Sequence, residues 1–384
     1  MKAARTISKM ALLGSVWFAG LAHPQQTKPA PTAPPAQTDD AGPAQDSGVI
    51  LKKKRQYADE PPPPAPEQER VKNPKELENY SIRVDVPVVT VDVSVQLQKN
   101  GQFVPGLKSG NFRVTEDGAE QRVTDVRMQQ KPITAVMLLE FAANSWAFIQ
   151  DMQQSAYVFF KQLKPEDYIA VITYDLRTRI LTDFTQDKNV TADALRSLTI
   201  PGFSDTNEFD ALYETIDRLS RLEGRKYIIL VSSGRDTFSK INLDQMYKKV
   251  KSAQDITIYT VSTGGLAREL TDARGGMGGM QRMDYLQADN QMRTISGMTG
   301  GQSYFPIFQG ALPEVFNSIN AAIRNQYVLT YRPTNTKQDG TYRKIKVELV
   351  DREGQPLTMV DEKNKKIKYS VMARDGYRAR MPVE

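Results

Sequence analysis

Between residues 131 and 325, apolar runs of strand length alternate with amphipathic stretches, and this alternation limits the fold more than any other feature of the chain. Residues 133–141, 168–174, 227–232 and 256–263 are apolar nearly throughout, as strands covered on both faces must be. Residues 145–163, 191–198, 207–222, 243–253, 283–298 and 312–325 carry helical spacing, for example Phe148, Met152, Tyr157, Phe160 and Leu163. Residues 179–184 and 303–305 read as short strands. Strands alternating with helices predict an α/β domain with a doubly wound, mostly parallel sheet. The stretch 264–280 holds six glycines and reads as a surface loop.

The flanks follow a different period. Val84, Val86, Val88, Val89, Val91, Val93 and Val95 give a β-branched, partly alternating run, followed by the turn dipeptide Asn100-Gly101. Residues 112–116 and 121–127 are further strands, so 78–130 reads as a small antiparallel β segment. Residues 326–384 return to strands at 327–331, 342–349 and 366–372, with turns at Asp339-Gly340, Glu353-Gly354 and Asp375-Gly376. Two β segments flanking an α/β domain are expected to pack on each other with the domain, 131–325, inserted between them.

The N-terminus reads as targeting and spacer. Lys2, Arg5 and Lys9 precede an apolar run ending in small residues near Ala22, the pattern of a signal peptide over residues 1–22, too short to span a bilayer. Residues 23–77 hold 12 of the chain's 22 prolines and little apolar periodicity, the composition of a disordered linker. The chain carries 51 Lys+Arg against 45 Asp+Glu, a net charge of +6, and loss of residues 1–22 would leave +3. Such modest basicity is no nucleic-acid signal. Cysteine is absent and the one histidine, His23, falls in the linker, which excludes thiolate chemistry, disulfides and His-dependent triads or zinc sites. Export without cysteine fits a bacterial periplasm or exterior.

The segments carry a family likeness. Val136-Met137-Leu138-Leu139-Glu140 followed by Asn144-Ser145 resembles the first strand and metal loop of von Willebrand factor type A domains. Asp205-Thr206-Asn207-Glu208-Phe209 resembles their threonine loop and following helix. Lys226-Tyr227-Ile228-Ile229-Leu230-Val231-Ser232-Ser233-Gly234-Arg235-Asp236 resembles their fourth strand and acidic loop, and 256–261 the fifth strand. With Phe112-Arg113-Val114-Thr115-Glu116-Asp117-Gly118 upstream and Gln326-Tyr327-Val328-Leu329-Thr330-Tyr331 and Asp375-Gly376-Tyr377 downstream, the whole is similar to VWFA-related proteins of the acidobacterial type. The resemblance implies a Rossmann-like type A fold and a divalent-cation site built from Asp-x-Ser-x-Ser, a Thr and an Asp. Here Glu140 stands for the first Asp, Ala142 and Asn144 for the two Ser, and Ser233 for the loop Asp; Thr206 matches. Mg²⁺ needs closely placed hard oxygens, and this set lacks them. The expectation is a degenerate site without metal or other cofactor; if an ion bound, Mg²⁺ with Glu140, Thr206 and Asp236 would be the set, with Asp205 the alternative recruit.

These readings converge on an exported, non-enzymatic binding module. Its expected rim for a protein partner is Glu140, Asn144, Ser145, Trp146, Asp205, Thr206, Ser233 and Asp236. One rival is a structural component of an envelope assembly, held by the β segments. The other is a hydrolase using Glu140, Asp205 and Asp236. The acid pairs Glu166/Asp167 and Asp361/Glu362 are read as solvated turns.

Overall fold

The computed structural model describes residues 87–381, apart from 129–130, 144–148, 199, 273–275 and 277. The expected signal peptide, the whole of the linker 23–77 and residues 78–86 lie outside the described residues. Four strands come first: β1 (Val89–Leu97), β2 (Phe112–Glu116), β3 (Ala119–Gln121) and β4 (Val123–Met128). The central section runs β5 (Thr134–Glu140), α1 (Ile149–Gln162), β6 (Tyr168–Tyr174), β7 (Thr178–Thr185), α2 (Lys188–Arg196), α3 (Glu208–Ser220) and β8 (Lys226–Ser232). It continues through α4 (Leu243–Ser252), β9 (Ile256–Ser262), α5 (Gly264–Asp272), α6 (Gly279–Met298), β10 (Ser303–Tyr304) and α7 (Leu312–Arg324). The chain closes with β11 (Tyr327–Tyr331), β12 (Tyr342–Leu349), β13 (Met359–Val360), β14 (Lys366–Ile367), β15 (Tyr369–Ala373) and β16 (Gly376–Arg378).

The central section is a six-stranded sheet in the order β10-β9-β8-β5-β6-β7, parallel except for the antiparallel edge strand β7. Side chains alternate between its faces with period two. Ala135, Met137 and Leu139 of β5 and Ile229 and Val231 of β8 join Phe159, Phe160, Phe316 and Ile319 of α1 and α7 in one core. Val136, Leu138, Ala170, Ile172, Ile228 and Leu230 meet Leu212, Ile216, Met246 and Val250 of α3 and α4 in the other. Burying apolar area at about 25 cal/mol per Å² on both faces makes these central strands the most protected part of the molecule.

Strands from the two ends of the chain are interleaved. One sheet runs β15-β1-β11-β4 and the second β16-β12-β2-β3. They enclose a third core of Val89, Val91, Val93, Val95, Tyr327, Leu329 and Tyr331 against Phe112, Val114, Ile345 and Leu349. The first four strands are therefore not a unit among themselves: β1 pairs with β11 and β15, β2 with β12 and β3, and β4 with β11. Apart from the local β2–β3 pair, short-range turn signals cannot reveal these pairings, because the partners lie about two hundred positions or more away in sequence. A buried Arg343–Glu116 ion pair joins the neighbouring strands β12 and β2, and Glu116 also accepts from the Tyr331 hydroxyl of the other sheet at 2.8 Å and from the Tyr377 hydroxyl at 3.0 Å. Arg225, ahead of β8, pairs with Asp92 of β1 and ties the sandwich to the sheet.

Two local readings need correction. Residues 264–272 form helix α5 rather than part of a loop. Their glycines serve close packing: a Cβ at Gly265 would lie 2.6 Å from the Pro306 carbonyl oxygen, and one at Gly264 would lie 2.8 Å from Tyr285. Asp167 is buried rather than solvated, accepting from the Ile133 and Lys164 amides and pairing with Arg324.

Candidate functional site

The site lies where β5, β6 and β8 end, at the carboxyl edge of the parallel sheet. The period-two register that sends Val136, Leu138, Ala170, Ile172, Ile228 and Leu230 toward α3 sends the next even-numbered residues there too. Those residues are Glu140, Tyr174 and Ser232, and all three are buried. Helix α3 brings Glu208 to meet them from its first turn. Glu208 is 1% exposed and shares the helix's inner face with Ala211, Leu212 and Thr215.

These groups form one hydrogen-bond cluster. Glu140 Oε2 accepts from the Ser233 amide at 2.6 Å, the Ser233 hydroxyl at 2.8 Å and the Ser232 hydroxyl at 3.0 Å. Ser232 Oγ also contacts Glu208 Oε2, and the Tyr174 hydroxyl reaches Ser232 Oγ at 2.8 Å and Glu208 Oε2 at 3.3 Å. Burial raises the Glu208 carboxyl to about 8, with the Glu140 charge adding to the effect and hydrogen bonds from Ser232 and Tyr174 opposing it. Burial likewise drives the Tyr174 phenol well above its ordinary range. Ser232 has a single hydroxyl proton and can donate to only one carboxylate. At neutral pH Glu208 keeps its own proton and donates to Ser232, and Ser232 donates to Glu140. This chain of donors gives each of the two buried acids a hydrogen-bond partner.

The loops around the cluster are tied to one another. The Thr206 hydroxyl donates to the Arg235 carbonyl, and the Thr206 carbonyl accepts from the Thr237 and Phe238 amides at 3.0 and 2.9 Å. Asp236 accepts from the Phe209 amide at 3.2 Å and the Ser239 hydroxyl at 2.5 Å, capping the N-terminus of α3 from outside the helix. Burial raises the Asp236 carboxyl against the pull of those hydrogen bonds. Gly234 turns the loop at φ +74, where an added Cβ would come within 3.0 Å of Ala288.

The expected site residues therefore separate. Glu140 and Ser233 meet in the buried cluster. Thr206 and Asp236 lie beside it as loop ties, and Asp205 is exposed, touched by the Thr237 hydroxyl at 3.4 Å. Asn144, Ser145 and Trp146 lie outside the described residues. Glu140, Asp205 and Asp236 occupy three different environments and do not converge on one pocket. The residues present fit a divalent cation poorly: Ala142 offers no side-chain oxygen, and Ser233 offers a neutral hydroxyl where the resemblance implies an acid. Among the described residues no group of three His, Cys, Asp or Glu is placed to hold a metal. Glu208 and Tyr174 escape a motif reading, because their partners come from other elements. The available signal is an acid on the apolar stripe of α3, at three and four residues from Ala211 and Leu212.

Exposed apolar side chains also stand on the loops at this end of the sheet, among polar ones. Phe203, Phe238, Met280, Met283, Ile307 and Phe308 are all exposed, Phe238 at 64% and Met280 at 85%. Each sits at the same end of the sheet: Phe203 through its carbonyl bond to the Ala143 amide beyond β5, Phe238 beyond β8, the methionines at the start of α6, and the last two beyond β10. A shallow cleft of about 270 Å³ opens between the 234–237 loop and α6, lined by Arg235, Asp236, Asp284, Gln287 and Gln291 among others.

Residues 145–304 match the family model of the von Willebrand factor type A domain. No curated protein matches the chain. Similar solved structures include the vWF domain of the type V pili tip protein Mfa5 from Porphyromonas gingivalis, 14% identical, covering 50% of this chain and 95% of that one at a TM-score of 0.39. The PilB minor pilin from Streptococcus sanguinis is 11% identical over 52% of this chain and 63% of its own, at 0.38. A von Willebrand factor type A protein from Catenulispora acidiphila is 10% identical over 74% of each chain, at 0.39.

Proposed function

Because residues 145–304 match the family model of the von Willebrand factor type A domain, we propose that this chain is an exported, non-enzymatic binding module of a bacterial cell envelope. It docks a protein partner on the carboxyl rim of the domain. The observation that carries this reading is the set of exposed Phe203, Phe238, Met280, Met283, Ile307 and Phe308 on elements at the carboxyl end of the sheet, where the Glu140–Glu208 cluster is buried. Exposed apolar side chains gathered at one end of a domain, with a polar rim beside them, mark an interaction surface. Aromatic anchors of this kind supply most of the energy of such contacts. The partner is held by apolar contact and not through a bridging cation. The N-terminal 1–22 segment directs export, the proline-rich 23–77 segment is the spacer, and among the described residues no helix is long and apolar enough to cross a membrane.

The test is capture of an envelope partner by the tagged chain, with Phe203→Ser, Phe238→Ser and Phe308→Ser combined as the rim variant. Capture is expected to survive EDTA and to fall at least tenfold in the rim variant, while the melting temperature stays native. Partner capture that is unchanged by the rim variant, or that EDTA abolishes, would overturn this reading.

A further inference from the structure

A second feature lies at the opposite end of the sheet, where β9 begins. A cleft of about 210 Å³ runs along the seam between the sandwich and the parallel sheet. Its walls are the 87–90 segment leading into β1, Gln254 and Asp255 before β9, the 333–338 segment and residues 374–380 around β16. Five of its side chains are cationic (Lys337, Arg343, Arg374, Arg378 and Arg380) against one carboxylate, Asp255.

The five are not equivalent. Arg343 is buried and committed to structure: it pairs with Glu116 and donates to the Asn335 and Lys337 carbonyls, fixing the 335–337 segment to the cleft floor. Arg374 donates to the Ala253 carbonyl at 2.8 Å and Arg378 to the Gly340 carbonyl at 3.3 Å. Carbonyl partners orient a guanidinium without cancelling its charge. Among the described residues, none of Lys337, Arg374, Arg378 and Arg380 forms an ion pair, although Asp255 shares their cleft. Four cations face Asp255 in the cleft, with Asp92 near Arg374 on its inner side, and this leaves a surplus of positive charge in a walled recess, where field lines concentrate and anions collect. The planar forks of arginine match the oxygens of carboxylate and phosphate.

We propose that this cleft binds an oxyanion ligand, a phosphate- or carboxylate-bearing group, held by Arg374, Arg378, Arg380 and Lys337. The site is separate from the rim, so the molecule can hold an anionic group at one end and a protein at the other. A free ion and an anionic group on a polymer present the same chemistry, and the experiment separates them.

The full chain is titrated calorimetrically at low salt with inorganic phosphate, with citrate and with long-chain polyphosphate. Binding is expected for at least one probe at millimolar concentration or below. Tighter binding of polyphosphate than of either small ion assigns a polymer source, and equal binding assigns a free ion. Lys337→Gln, Arg378→Gln and Arg380→Gln together should weaken it roughly tenfold, about 1.4 kcal/mol. All three side chains are exposed, so the variant keeps its melting temperature. The control, Lys363→Gln, Lys365→Gln and Lys366→Gln, makes the same change of net charge at exposed positions of the turn before β14 and its first residue and should leave affinity within twofold. No binding by any probe, or equal loss in cleft variant and control, would overturn the proposal.

Discussion

Replacing Glu208 with glutamine tests the buried acid cluster directly. In the folded chain the carboxyl sits at about 8 against an ordinary 4.5, so between those values the native state keeps a proton that the unfolded chain has released. Stability must then fall as pH rises through that window, by up to about 1.4 kcal/mol per unit, or roughly 5 kcal/mol in all. The loss begins above the unfolded value and is complete above the folded one. Glutamine is neutral like the protonated acid, and an amide nitrogen in the place of Oε2 can donate to the Ser232 and Tyr174 hydroxyls that meet that oxygen. Near pH 5 the Glu208→Gln variant should match the native chain to within about 1 kcal/mol. By pH 8.5 it should be the more stable by about 2–5 kcal/mol, allowing for partial relaxation around an ionised Glu208. Asp92 also titrates upward, to about 6, chiefly through burial, but it is common to both chains and drops out of the difference. The assay is urea unfolding of both proteins at pH 5, 6.5 and 8.5. Parallel native and variant curves across that range would mean that Glu208 is ionised in the folded state, and the donor chain through Ser232 would be wrong.

Three further outcomes follow from the geometry. Melting curves in EDTA and in excess Mg²⁺ should overlay, whereas an ion at 100 times its dissociation constant would add about 2.7 kcal/mol. Arg343→Met should cost about 3–5 kcal/mol by stranding buried Glu116, and Arg343→Met with Glu116→Gln should recover more than half of it in the same denaturation assay. Gly301→Ala places a Cβ 2.0 Å from the Ile258 carbonyl oxygen and should lower the melting temperature far more than Gly202→Ala, whose Cβ meets nothing within 4 Å.

The parallel sheet was legible because its strands are apolar on both faces: 226–232 admits few other readings. The sandwich strands were legible singly, from the valines of β1 and the Asp-Gly turns, but their order was not. Pairing of Val91 with Leu329 leaves no local trace in either segment. Helix α5 was hidden by Gly264 and Gly265, which signal a loop on propensity alone but here let Tyr285 and Pro306 approach. At the site, Glu140 and Ser233 were visible through a motif that they fail to match. The compensation was not, because Glu208 and Tyr174 reach the cluster from a helix and a strand whose contact exists only in three dimensions. Asp167 misled for the opposite reason: a Pro-Glu-Asp turn reads as solvated, and its burial depends on Arg324, far along the chain.

The interleaving of β1 between β11 and β15 also sets an order of events for a chain that emerges from its N-terminus. The valines of β1 appear first and remain without their partner strands until residues 327–331 and 369–373 have followed. An unpaired β-branched run of that kind is prone to association with other chains. The central section can meanwhile assemble from neighbours in sequence, since β5 pairs with β6 and β8 with β9. Once folded, it brings its own two ends together, because Met128 and Tyr327 sit side by side at its entry and exit. The inserted domain thereby turns a very long loop closure into a short one, and the entropy of joining the sandwich is met largely by a domain that folds first.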